Sequence, residues 1–198
     1  VLIEGLPGIG LVGKLAADHL IRERKAVRIA TIYSPHFPHQ VIMRKSGVLR
    51  MVRLKLYYAP SSKHDLIFLV GDVQPITSEA QYEVNGKILD FFQAQGGRWI
   101  VTLGGYGTGK RVEVPRVFGA ATHKKLVPVY SKYNIIFGES RGSIVGAAGL
   151  LLGLGRLLRR TAVSPVTRGQ RRDGSHREQE PGEREQRHAR AWRGALAE

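Results

Sequence analysis

Two stretches of the 198-residue sequence carry residue types at a spacing that could hold a phosphate. The first, "LIEGLPGIGLVGKLAADHLI" (residues 2–21), contains Gly8-x-Gly10-x-x-Gly13, in which glycines would let backbone N–H groups approach a pyrophosphate at a helix N-terminus. Read from Gly8 to Gly13-Lys14, the same stretch has P-loop spacing. The second, "GGYGTGK" (104–110), repeats that spacing and adds Gly105, Thr108 and Lys110 as convergent polar or close-approach positions. Each pattern lacks a part that its chemistry needs. A hydroxyl must meet Mg²⁺ after the lysine, and the residues there are Leu15 and Arg111. A dinucleotide site needs an acid near the end of the next strand, which closes on Tyr33-Ser34, while Glu23 comes too early. Behind the second stretch, "RVEVPRVFG" (111–119) cannot open a helix, because it is rich in valine and interrupted by Pro115.

The expected role of Gly8, Gly10 and Gly13 is therefore close packing of a helix on a strand. Anion or nucleotide binding by Gly8, Gly10, Gly13, Lys14, Gly105, Thr108 and Lys110 is the alternative, resting on backbone N–H groups and the helix macrodipole. Lys14, Asp18 and Arg22 fall at i, i+4 and i+8, the spacing of a solvated ion-pair stripe. His36 and His39 in "SPHFPHQ" have no third metal ligand beside them, so no metal is expected. Asp72, Glu79 and Glu83 could pair as carboxylates, but Asp72 before Gln74-Pro75 equally reads as a loop capping the next helix. Gly-x-Ser-x-Gly is absent. No catalytic residue and no cofactor is expected.

The elements that position these residues follow from hydrophobic patterning. An apolar run from Val1 to Leu6 reads as a strand, broken by Pro7-Gly8, after which Leu11, Val12, Leu15, Ala16, His19 and Leu20 recur at helical spacing. "VRIATIY" (27–33) is a second strand, so the opening reads as a βαβ unit with a right-handed crossover and a sheet parallel at its centre. "VIMRKSGVLRMVRLKLYYA" (41–59) predicts a hairpin turning at Ser46-Gly47, its second arm alternating charged and apolar residues as one wet face would. "DLIFLVGD" (65–72) and "RWIVTLGG" (98–105) read as strands buried on both faces. Between them Ser78 and Gln81 suggest a capping box, opening a helix that turns Tyr82, Ile88, Leu89 and Phe92 inward and stops at Gly96-Gly97. "SIVGAAGLLLGLG" (143–155) predicts a buried helix ended by Gly153 and Gly155, too short for the roughly 20 residues that cross a bilayer. The order is that of an α/β layered domain.

A net charge of +15 suggests attraction to polyanions or acidic protein surfaces. Cysteine is absent, which excludes disulfides and thiolate metal sites and fits a cytoplasmic location. Residues 156–198 hold 11 Arg and no Lys, Ile, Phe or Tyr. A segment so poor in apolar area cannot offset an ordering cost of about 1–2 kcal/mol per residue, which predicts a low-order basic tail with a marginal helix at 183–197. Its single Trp192 offers little base stacking, so any polyanion binding by the tail would be non-specific.

Six stretches, "LIEGLPGIGLVGKLAADHLI", "LVGDVQP", "YEVNGKILDFF", "TLGGYGTGK", "VFGAAT" and "GSIVGAAGLLLGLG", resemble in this order the archaeal members of the proteasome assembly chaperone 2 family, also labelled ATP-grasp. The resemblance covers residues 1–155 and implies a three-layer α/β sandwich with a mostly parallel central sheet, like that of purine nucleoside phosphorylases. It also implies a homo-oligomer, with a non-catalytic role in assembling proteasome α subunits or acting on the core particle. Some relatives end in a hydrophobic-Tyr-any tail, whereas this chain ends Leu196-Ala197-Glu198. Family members continue after the "LLLGLG" helix with a strand and a final helix. The Arg-rich text from Arg156 is expected to lack both and resembles an out-of-frame translation of a GC-rich gene, which would leave a sheet edge and apolar surface uncovered.

Overall fold

The computed structural model of the chain describes residues 1–107, 114–138, 142–158 and 161–167. Five strands come first in the chain: β1 (Leu2–Gly5), β2 (Val27–Ile32), β3 (Val41–Met43), β4 (Leu49–Met51) and β5 (Leu54–Ala59), with helix α1 (Val12–Glu23) between β1 and β2. They are followed by β6 (Leu66–Gly71), α2 (Ser78–Ala94), β7 (Trp99–Thr102), β8 (Gly104–Gly105) and β9 (Val117–Ala121). The remaining elements are α3 (Val127–Ser131), β10 (Ile135–Phe137), α4 (Ala147–Leu157) and β11 (Thr161–Thr167).

The main sheet runs β10-β9-β11-β7-β1-β6-β5-β2, with β8 paired to β11. Its centre is parallel as expected: β1 pairs in parallel with both β6 and β7, and β7 with β11. The sheet as a whole is mixed, because β5 is antiparallel to both β6 and β2, and β9 is antiparallel to β11. β2 runs in the same sense as β1 but lies at the edge, so the α1 connection spans β6 and β5 rather than linking neighbours.

Alternation along β1 separates two helical layers. Gly5 faces Ala17 and the Gly13 carbonyl of α1, whereas Leu2 joins the core beneath α2 and α4, with Ile67, Ile100, Ile88, Leu89, Phe92 and Leu151. Fully buried aliphatic strands between two helical layers are the pattern of an α/β sandwich.

Some local expectations change. The N-cap of α2 is Thr77, whose Oγ1 accepts from Ala80 N at 3.2 Å, one residue before the expected Ser78. Gln81 does not close a capping box; its Nε2 donates to the Pro75 carbonyl at 2.9 Å. Tyr82, expected inward, is exposed, while Ile88, Leu89 and Phe92 are buried. Helix α4 continues through Gly153 and Gly155 to Leu157, since glycine costs only about 1 kcal/mol per residue inside a helix and Gly155 is buried.

The largest correction concerns the boundary at residue 155. Thr161–Thr167 form β11, which is parallel to β7 on one side and antiparallel to β9 on the other. The strand expected to be missing is therefore present, inside the sheet. Composition averaged over 156–198 hid a local run, "TAVSPVT", that has no charge and four β-branched residues. Residues 168–198, with the expected helix at 183–197, lie outside the described residues.

Thr77→Ala should cost about 1 kcal/mol in urea unfolding, whereas Ser78→Ala should lie within about 0.5 kcal/mol of the parent. Equal losses at the two positions would contradict the cap assignment.

Candidate functional site

The glycine-rich elbow occupies the C-terminal end of β1, where open α/β sheets place ligands. Leu6 is buried, Pro7 and Gly8 turn the chain, and a 3-10 turn over Ile9–Leu11 leads into α1. Gly10 has φ 63° and Leu11 φ 55°, so a leucine is held in the left-handed region at a cost on the order of 1–3 kcal/mol. What requires this path is backbone contact. A Cβ at Gly13 would overlap the Leu103 carbonyl, and one at Gly105 would overlap the Ile9 carbonyl. Gly8 has an extended backbone and open space where a Cβ would stand.

The structure thus brings Gly8, Gly10, Gly13 and Gly105 together at the ends of β1 and β7. Lys14 is turned to the helix side, where Nζ pairs with Asp18 Oδ2 as the i, i+4 spacing suggested. Thr108 and Lys110 lie outside the described residues.

The other polar candidates separate. His36 Nε2 meets Glu83 Oε2 at 2.8 Å, and Glu83 also accepts from Lys87 Nζ at 3.0 Å. Lys87 and then His36 hold the Glu83 carboxyl below its ordinary range. Among the described residues no group of three His, Asp or Glu side chains could hold a metal ion. Asp72 does not pair with Glu79 or Glu83. It receives both Arg50 guanidinium nitrogens at 2.5 and 2.9 Å, and the Arg53 N–H at 3.1 Å. Burial pushes the Asp72 carboxyl up, but the Arg50 hydrogen bonds and charge outweigh it and the net shift is downward. Glu79, in the first turn of α2, is also lowered, by backbone N–H donation and Thr77.

Two polar features were not singled out by the sequence. Glu4 is 1 % exposed in the middle of β1. Its Oε1 accepts from Leu6 N at 2.7 Å, its Oε2 has no hydrogen-bond partner among the described residues, and burial raises its pKa to about 8. Gln74 ties three elements together. Its Nε2 donates to the Pro7 carbonyl at 2.7 Å, and its Oε1 accepts from Ala147 N at the start of α4 and from Gln81 of α2. Asn85 extends this chain by donating to the Gln81 carbonyl and Oε1.

The hairpin β3–β4 inverts its expected polarity. Cross-strand pairs Val41–Met51 and Met43–Leu49 share one face, and all four side chains are more than half exposed. The alternate pair, Ile42 and Arg50, points to the body: Ile42 packs on the core and Arg50 binds Asp72. The wet face is thus the apolar one. Among the described residues no helix is long and apolar enough to cross a membrane.

The profile of the PAC2 family matches residues 2–168. The chain belongs to the PAC2 family. The match runs through β11, past the boundary expected at residue 155. An uncharacterised protein of Methanocaldococcus jannaschii is 38% identical over 152 residues, covering 77% of this chain and 58% of its own length. The chain therefore spans little more than half of that curated relative. Among solved structures, PbaB of Pyrococcus furiosus, described as an archaeal proteasome activator, is 44% identical with a TM-score of 0.78, covering 85% of this chain and 74% of PbaB. PbaA of the same organism, described as an archaeal homologue of proteasome-assembly chaperone, shares the fold at 22% identity and a TM-score of 0.70, over 85% of this chain and 71% of PbaA.

Two outcomes follow from this PAC2 geometry. Gly13→Ala should destabilise by at least about 2 kcal/mol in denaturant titration, because backbone must move, whereas Gly8→Ala should stay within about 0.5 kcal/mol. A tolerated Gly13→Ala would remove the packing explanation. Glu4 ionises in the unfolded chain near pH 4.5 and in the folded protein near 8, so its stabilising contribution is complete below 4.5 and lost as pH rises to 8. At about 1.4 kcal/mol per pH unit the upper bound is about 5 kcal/mol. Glu4→Gln should flatten the decline in stability between pH 5 and 8 and be the more stable protein at pH 8. An unchanged pH slope would show that Glu4 is charged in the fold.

Proposed function

We propose that this PAC2 protein is a non-catalytic proteasome assembly chaperone or scaffold that acts on proteasome α subunits. The observation that supports action on the proteasome is the likeness to PbaB, at 44% identity over 85% of the chain. The fold shared with PbaA, a homologue of proteasome-assembly chaperone, agrees with it. The elbow supports a scaffold in preference to a nucleotide site, because the glycines a phosphate would need at positions 13 and 105 are closed by the carbonyls of Leu103 and Ile9, and Lys14 pairs with Asp18. In this reading the protein works through surfaces, as a homo-oligomer with α subunits or the core particle as partner.

The description of PbaB as a proteasome activator favours a second reading, stimulation of the assembled core particle. Purified α and β subunits mixed with and without the chain separate the two. A chaperone should speed the appearance of α rings or core particles on size exclusion with light scattering and leave peptide hydrolysis by finished particles unchanged. An activator should raise peptide hydrolysis by finished particles and leave assembly unchanged. Failure to co-migrate with either α subunits or core particles would overturn both.

A further inference from the structure

We propose that the outward face of the β3–β4 hairpin is the surface that docks the protein partner, and that the partner offers an apolar patch rimmed by carboxylates. The inference rests on the proposed action on proteasome subunits and names the part of this chain that makes the contact. Four observations carry it. The register places Val41, Met43, Leu49 and Met51 on one face, with exposures of 52, 73, 60 and 56%. Val48, 60% exposed at the turn, continues the patch. The hairpin is held to the body from behind, by Ile42 on the core and by the two-pronged Arg50–Asp72 contact, so the apolar side chains are presented on a fixed platform. The turn is tight, with Gly47 at φ 79° and paired N–H donations between Arg44, Gly47 and Val48. A contiguous apolar patch on a rigid support is what a protein interface needs, since ordering the contact costs little on binding.

Charge chooses the occupant. Residues 24–64 contain nine Lys or Arg and no Asp or Glu, and Arg44 and Lys45 stand exposed at the hairpin tip. A second copy seated hairpin to hairpin would bring four of these cations together with no local acid to meet them, which disfavours a symmetric self-contact. A nucleic acid would find phosphate partners at the tip, but the face has aliphatic and thioether side chains and no ring on which a base could stack. An apolar protein patch with an acidic rim satisfies both parts: methionine adapts to its contour, and the tip cations steer the encounter and set its orientation.

The test uses the full chain and purified proteasome α subunits, with affinity measured by interferometry at about 50 and 300 mM salt. One variant is Met43→Ser/Leu49→Thr, which removes apolar surface at exposed positions and leaves Ile42 and Arg50 in place. A second is Arg44→Glu/Lys45→Glu, which reverses the rim. The first should weaken binding at least tenfold with Tm unchanged. The second should weaken it at low salt and abolish most of the salt dependence that the parent shows. Binding equal to the parent by both variants overturns the hairpin assignment and leaves the proposed function standing, whereas a parent chain that does not bind α subunits overturns the two together. Dissociation of a homo-oligomer by the first variant in light scattering would make the face a contact between copies and overturn the proposal. So would parent binding to vesicles of phosphatidylserine and phosphatidylcholine that the variant loses.

Discussion

The fold depends on two places where backbone lies directly on backbone. The Leu103 carbonyl fills the space of a Cβ at position 13, and the Ile9 carbonyl fills that of a Cβ at position 105. Together they lock the elbow after β1 to the strand end that follows β7, and thereby fix how α1 crosses β1 and β6. Such approach is possible only without side chains, because close-packed interiors have no spare volume to absorb even one methyl group. Leu11 is the visible consequence. Its left-handed backbone is unfavourable for a leucine, and it persists because the contacts on either side over-determine the path of the turn.

On the opposite side of the sheet, order is imposed by hydrogen bonds. The Gln74 side chain accepts from the first N–H of α4 and donates to the Pro7 carbonyl, so one amide joins the elbow to α4 and, through Gln81 and Asn85, to α2. Gly146 lets it come so close: with φ 81°, a Cβ there would stand 2.7 Å from Gln74 Oε1. A buried network is worth having only where its members are satisfied, since an unpaired buried polar group costs free energy. Glu4 departs from this. One of its oxygens has no partner among the described residues, and the cost is met by keeping the carboxyl protonated near neutral pH.

Much of this was legible in the sequence, for identifiable reasons. β6 is a continuous apolar run buried on both faces, and such a strand leaves no other pattern, whereas β7, expected to match it, buries Ile100 and Thr102 fully and leaves Trp99 and Val101 half-buried. The turn at Ser46-Gly47 was readable because few residues tolerate the conformation of Gly47. What the sequence hid depended on distant partners. That Tyr82 would face water, or that β2 would lie three places from β1, follows from which strands β5 and β6 chose as neighbours. Glu4 looks like any charge on one face of a strand until the sheet and its helices close over it. The seven residues of β11 were submerged in an arginine-rich average, although read alone they are strand-forming.

The hairpin shows how pattern and placement can disagree in a way that carries meaning. In β4, Leu49, Arg50 and Met51 alternate until the apolar pair Met51-Val52 breaks the pattern, and alternation reports two faces without saying which of them the body covers. Here the body covers the charged one. Turning Arg50 inward requires a carboxylate to receive it, and Asp72 at the end of β6 is placed to do so with both oxygens. A partly buried ion pair of this kind contributes little net stability, since desolvation of both groups offsets most of the attraction. Stability alone would favour the reverse arrangement, with Met43, Leu49 and Met51 packed on the core and Arg50 in water, which by roughly 25 cal/mol per Å² would add several kcal/mol of apolar burial. An arrangement that forgoes this burial keeps the apolar side chains available to something other than its own core.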